Sequence, residues 1–115
     1  MYRTPLLIRL NARLLAWSLW TGLVLLGFGC APTIGDACER HTDCGAGVMC
    51  DQATPGGYCT ISPCRTGDCP EEAACVDFQS EQTFCMRRCD QGQGCREGLT
   101  CRKDIGEVAF CGIAP

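Results

Sequence analysis

The chain has 115 residues, a formal net charge of −3 and thirteen cysteines, which bounds it to one ordinary domain plus a leader. Arg3, Arg9 and Arg13 fall in residues 1–29 with no acid, so residues 30–115 carry all thirteen acids against seven bases, a balance of −6. That acidic surface excludes nucleic acid as a partner, and the sparse apolar residues after Cys30 exclude a sizeable core held without covalent bridges.

Residues 1–29 have the order of an export signal. "MYRTPLLIRLNAR" is basic, and "LLAWSLWTGLVLLGFG" is an apolar run of 16 residues ending at Cys30. A permanent span needs about 20 apolar residues, and Arg9 and Arg13 block extension upstream. A helical signal segment is expected over 1–29. The stretch Leu26-Gly27-Phe28-Gly29-Cys30 resembles the lipobox of bacterial lipoproteins. Gly29 and Cys30 fit that pattern; Gly27 and Phe28 stand where the family prefers an aliphatic and a small residue. The resemblance implies a diacylglycerol thioether on Cys30, removal of residues 1–29 and fatty acylation (palmitate-type) of the new amino terminus. The membrane is then a partner through the lipid, and Ala31 in place of an aspartate implies the outer membrane. Two other readings stand beside it. Gly27 and Gly29 also satisfy the small-x-small rule of an ordinary secretory signal, which leaves Cys30 a spare thiol on a secreted protein. Alternatively the leader stays as an uncleaved anchor. Residues 30–37 read as a lipid-anchored spacer.

From Cys38 onward the cysteines fall into register in three copies. The first is "CERHTDCGAGVMCDQATPGGYC" (38–59), the second "CRTGDCPEEAACVDFQSEQTFC" (64–85) and the third "CDQGQGCREGLTCRKDIGEVAFC" (89–111). Their spacings are C-x5-C-x5-C-x8-C, C-x4-C-x5-C-x9-C and C-x5-C-x5-C-x9-C, with first cysteines 26 and 25 residues apart. This is an internal repeat. Tyr58, Phe84 and Phe110 each precede a last cysteine and are expected to lie over their own disulfides as miniature cores. Gly47 and Gly98, three residues after the second cysteines, mark tight turns; Glu72 fills that place in copy two, whose turn should differ. Such cysteine density belongs to an oxidising compartment. Four cysteines per copy permit three internal pairings, of which the crossed one knits a short chain into one unit. A closed loop of about a dozen residues contributes roughly 2–3 kcal/mol in the loop-entropy account. The fold class expected is small and disulfide-rich: three tandem four-cysteine units of short β-hairpins and turns, arranged as a stubby rod of three beads.

"HTDCGAGVMC" is similar to the C-x4-D-C-x2-G-x2-C stretch of EGF-like and dickkopf-type cysteine-rich repeats, although an EGF module has six cysteines and these units have four. The resemblance implies hairpin units, extracellular protein binding and crossed bridges: Cys38–Cys50, Cys44–Cys59, Cys64–Cys75, Cys69–Cys85, Cys89–Cys101 and Cys95–Cys111.

Chemistry finds little footing. His41 is the only histidine, lies on a polar stretch and reads as a solvated surface residue rather than a base. No C-x2-C pair suits zinc or a redox motif. Asp36, Asp43 and Asp68 stand before cysteines in a manner loosely like calcium-binding EGF modules, but Gly94 breaks the series and no full acidic loop is present. No metal, cofactor or catalytic residue is therefore assigned. The function expected is non-catalytic binding or structural support in the cell envelope. The disulfide-framed loops "DQATPGGY", "VDFQSEQTF" and "RKDIGEVAF" would be presented to an extracellular or periplasmic protein or glycan. The alternative is a secreted protease inhibitor offering Arg102-Lys103 to a trypsin-like pocket.

Overall fold

The computed structural model describes residues 30–79 and 81–115; the expected signal helix lies outside them. Each copy supplies one antiparallel two-stranded hairpin. Copy one pairs β1 (Met49–Asp51) with β2 (Tyr58–Thr60), copy two pairs β3 (Ala73–Asp77) with β4 (Thr83–Arg87), and copy three pairs β5 (Thr100–Arg102) with β6 (Phe110–Gly112). A 3-10 turn, His41–Cys44, precedes β1.

The register explains how so few residues hold a shape. Within each hairpin the third and fourth cysteines are direct cross-strand partners: Cys50 with Cys59, Cys75 with Cys85, Cys101 with Cys111. Opposed residues project to the same face of a ladder, so both sulfurs reach back to the loop carrying the first two cysteines. The bonds are Cys38–Cys50, Cys44–Cys59, Cys64–Cys75, Cys69–Cys85, Cys89–Cys101 and Cys95–Cys111. This is the crossed pairing in all three copies, and every hairpin is stapled twice on one face. Gly47 and Gly98 have φ of 75° and 85°, the left-handed region that glycine enters without steric cost. Glu72 does not share that conformation; its carbonyl accepts the Arg88 amide instead.

The outer edge of each second strand is also paired. Gly35 donates to the Cys59 carbonyl and Cys59 donates to that of Asp36, both at 2.9 Å. Cys85 donates to Ile61, and Arg88 bridges Phe110 with Cys89 donating to Ala109. The segment before each copy thus adds a rudimentary third strand to that copy's hairpin, and edge groups that would otherwise be open are covered.

Two expectations are corrected here. Residues 30–37 are not all spacer. Ile34 is 2 % exposed and sits in the central cluster with Tyr58, Val76, Met86 and Phe110, because the acidic unit has too few apolar side chains to leave one unused. Nor are the units separate beads with private cores. That one cluster draws on the 31–37 arm and all three copies, and includes Cys64 and Cys85 of copy two. Only the disulfide stacks of copies one and three form satellite clusters of their own. Residues Ala31–Pro115 make one compact unit containing all six bridges, the mark of a unit able to fold by itself.

Candidate functional site

The hairpin loops meet at a surface cleft of about 340 Å³. Copy one contributes Asp51, Ala53 and Thr54; copy two Phe78, Gln82, Phe84 and Met86; copy three Arg102, Phe110, Gly112 and Ile113. The positions correspond across the repeat. Asp51 and Arg102 follow third cysteines, Ala53 and Phe78 lie three residues after them, and Phe84 and Phe110 precede fourth cysteines. Equivalent side chains of stapled hairpins converge because the hairpins share one core.

The floor is aromatic. Phe78 stands edge-on to Phe84, with centroids 6.0 Å apart, and edge-on to Phe110 at 5.7 Å, the arrangement favoured by ring quadrupoles. Arg102 covers Phe110, its guanidinium carbon 5.4 Å from the ring centroid. The same guanidinium grips Asp104 with two bonds, at 2.9 and 2.6 Å, and donates to the Ile113 carbonyl. The paired bonds with Asp104 raise the Arg102 pKa and hold the Asp104 carboxyl below its ordinary value. Ile113, at 43 % exposure, is the exposed large apolar residue of the described chain.

Cys30 carries a free, exposed thiol. The other twelve cysteines are bonded; the sulfur clusters with metal-like proximity, such as Cys38, Cys44 and Cys50, are stacked disulfides with no thiolate to offer a cation. The three aspartates considered for calcium close turns. Asp36, Asp43 and Asp68 each accept, on Oδ2, the amide three residues upstream: Thr33, Arg40 and Arg65. Each returns its own amide to the carbonyl of that same residue. Asp43 also accepts the Glu39 amide, and these bonds hold its carboxyl below the usual carboxylate range. Among the described residues, no group of three acids comes within metal-binding proximity.

His41 is exposed, as expected, yet it is not idle. Its Nδ1 accepts the Cys50 amide at 2.8 Å, which satisfies the outer edge of β1 with a side chain. Of the Arg102-Lys103 pair, only Lys103 is exposed; the Arg102 side chain retains 15 % exposure and is held against its own fold.

One residue of the cleft, Phe78, and two that hold the arm, Arg87 and Arg96, carried no signal in sequence. Phe78 has Ala53 and Asp104 at its equivalent positions, so the recurrent-aromatic pattern could not find it. Arg87 and Arg96 clamp the arm: Arg87 donates to the Thr33 hydroxyl, and Arg96 donates to the carbonyls of Gly35 and Gly57. Nothing in local sequence distinguishes them from solvated bases.

The fold and site define a small disulfide-rich protein of three four-cysteine hairpin units. Comparison of the chain with known protein families, with characterised proteins and with solved structures found no match.

Proposed function

We propose that this is a non-catalytic, lipid-anchored protein of the cell envelope that binds another macromolecule through its disulfide-framed hairpins. The observation that carries the binding role is the cleft itself: loops from all three copies line one aromatic concavity with a polar rim. Binding sites are built in this way, with apolar walls and a few placed polar groups. Two disulfides per hairpin hold the loops in place before any partner arrives, so little ordering entropy is lost on binding.

Anchoring rests on cysteine parity. Twelve sulfurs are consumed in six bonds and Cys30 alone is free, at the end of a leader that resembles a lipoprotein signal. Ala31 and Pro32 are the only residues between Cys30 and Thr33, whose amide is tied to Asp36. A tether of that length reaches about 10 Å at most. Among the described residues no helix is long and apolar enough to cross a membrane.

Fractionation tests the reading. The natural chain should sediment with membranes and the Cys30→Ser variant should not. A photo-crosslinking residue at position 53 should give one discrete adduct in cells, and the same residue at Thr66, outside the cleft, should not. Retention of Cys30→Ser on the membrane would overturn the lipid anchor; equal adducts at both positions would overturn the cleft as binding site.

A further inference from the structure

The charges on and around the cleft are unequal in a way that selects a partner. Two charged side chains line it, Asp51 and Arg102. Arg102 is neutralised by Asp104, whereas Asp51 has no cation within salt-bridge distance among the described residues. Asp51 Oδ1 accepts the Ala53 amide at 2.9 Å. The three framing loops add Asp77, Glu81 and Glu107 against Lys103 alone. The loops that frame this mouth thus carry a net negative charge, and Asp51 is the unpaired charge on the cleft wall itself. Beneath that rim, Phe78 and Phe84 are half-buried, and the Arg102–Phe110 stack shows that the aromatic floor accepts a guanidinium face.

We infer that the cleft takes a basic, apolar segment of a partner protein. Its cation meets Asp51, and its neighbouring apolar side chain lies against Phe78 and Phe84. This rests on the binding role proposed above and narrows it to one chemistry, since an acidic segment would meet uncompensated carboxylates and a neutral sugar would leave the Asp51 charge unpaired. Ile113, exposed at the rim, extends the apolar contact.

The test uses the folded unit Ala31–Pro115, whose aromatic rings and amides are followed by NMR. Three probes are titrated: a heptapeptide with lysines flanking leucine and phenylalanine, the same peptide with glutamate for lysine, and an N-acetylglucosamine tetramer. The basic peptide should shift the Phe78 and Phe84 rings and the Asp51 and Ala53 amides, with affinity falling roughly tenfold between 50 and 500 mM salt. Asp51→Asn keeps the acceptor for the Ala53 amide and should weaken binding roughly three- to tenfold. Ala53→Arg places a like charge on an exposed loop and should weaken it by at least as much. Equal or tighter binding of the acidic peptide or the sugar at these residues overturns the inference while leaving a binding cleft. Failure of the basic peptide to move these resonances overturns it outright, and the position-53 adduct then judges the binding role separately.

Discussion

The hydroxyl of Tyr58 donates to the carbonyl of Cys111, 3.0 Å away and 53 residues further along the chain. The same oxygen accepts the Arg87 amide at 2.9 Å. One side chain from copy one thus satisfies backbone groups of copies two and three while buried to 1 % exposure. Buried polar groups must be paired, and this pairing ties three hairpins into one body.

Tyr58→Phe keeps the ring and removes only that junction. The Arg87 amide and Cys111 carbonyl would each lose a partner, and destabilisation of about 1–3 kcal/mol is expected. Denaturant unfolding without reductant should show a lowered midpoint with all six bridges intact. An unchanged midpoint would mean that this junction contributes nothing to holding the three units together.

Alkaline titration reads the same site. Burial raises the Tyr58 pKa above its ordinary 10.0, with the Arg87 amide, Arg96 and Arg87 opposing more weakly. The folded state therefore holds its phenolic proton after the unfolded chain has lost it. Stability contributed this way is complete below pH 10 and falls as pH rises through the folded value. Tyr58 is the only tyrosine after residue 30, so tyrosinate absorbance of the Ala31–Pro115 unit reports it alone. Its midpoint should lie above that of the reduced, unfolded chain.

The arm preceding copy one should behave as part of the fold. Ile34→Ala is expected to cost about 2–4 kcal/mol, far more than a change in a spacer. Arg96→Ala should loosen the same segment and raise amide exchange at Gly35. Exchange rates at Gly35 typical of free chain in the natural protein would contradict the docking.

At Gly57, φ is +74° and an added Cβ would lie 2.0 Å from the Cys38 carbonyl oxygen. No side-chain rotation relieves a clash with backbone. Gly57→Ala should therefore impair oxidative folding of copy one, seen as scrambled or incomplete bridges by non-reducing peptide mapping. Gly67→Ala, also at positive φ but with nothing within 4 Å of its added Cβ, should fold with much smaller loss.

Trypsin offers a check on the Arg102-Lys103 loop. With Arg102 bound to Asp104, Ile113 and the Phe110 face, no stoichiometric inhibition is expected. Inhibition at an equimolar ratio would show that Arg102 leaves those contacts or that the exposed Lys103 enters the pocket.

Hairpin units and glycine turns were legible in sequence because each is a local consequence of the repeated cysteine spacing and backbone sterics. The crossed bridges followed from the resemblance, since four cysteines per copy left three pairings open. Sharing of the core was not legible. Tyr58, Phe84 and Phe110 occupy one repeat position yet meet different fates: two are fully buried, while Phe84 is half-buried at the cleft. A repeat pattern assigns like roles to like positions, whereas packing depends on which neighbour each copy meets. Ile34 was hidden for a related reason, since an isolated isoleucine among small and polar residues carries no periodicity. Asp36, Asp43 and Asp68 carried no metal assignment in sequence, but their place before cysteines did not reveal that each closes a turn through its own Oδ2. The cleft was half visible, in the loops but not in their convergence.

The most direct measurement is the intact mass of the protein isolated from membranes without reduction. Residues 1–29 should be absent, with acyl mass on Cys30 and twelve hydrogens lost to six bridges. Free thiols within 38–111, or Cys30 joined to another cysteine, would contradict this expectation.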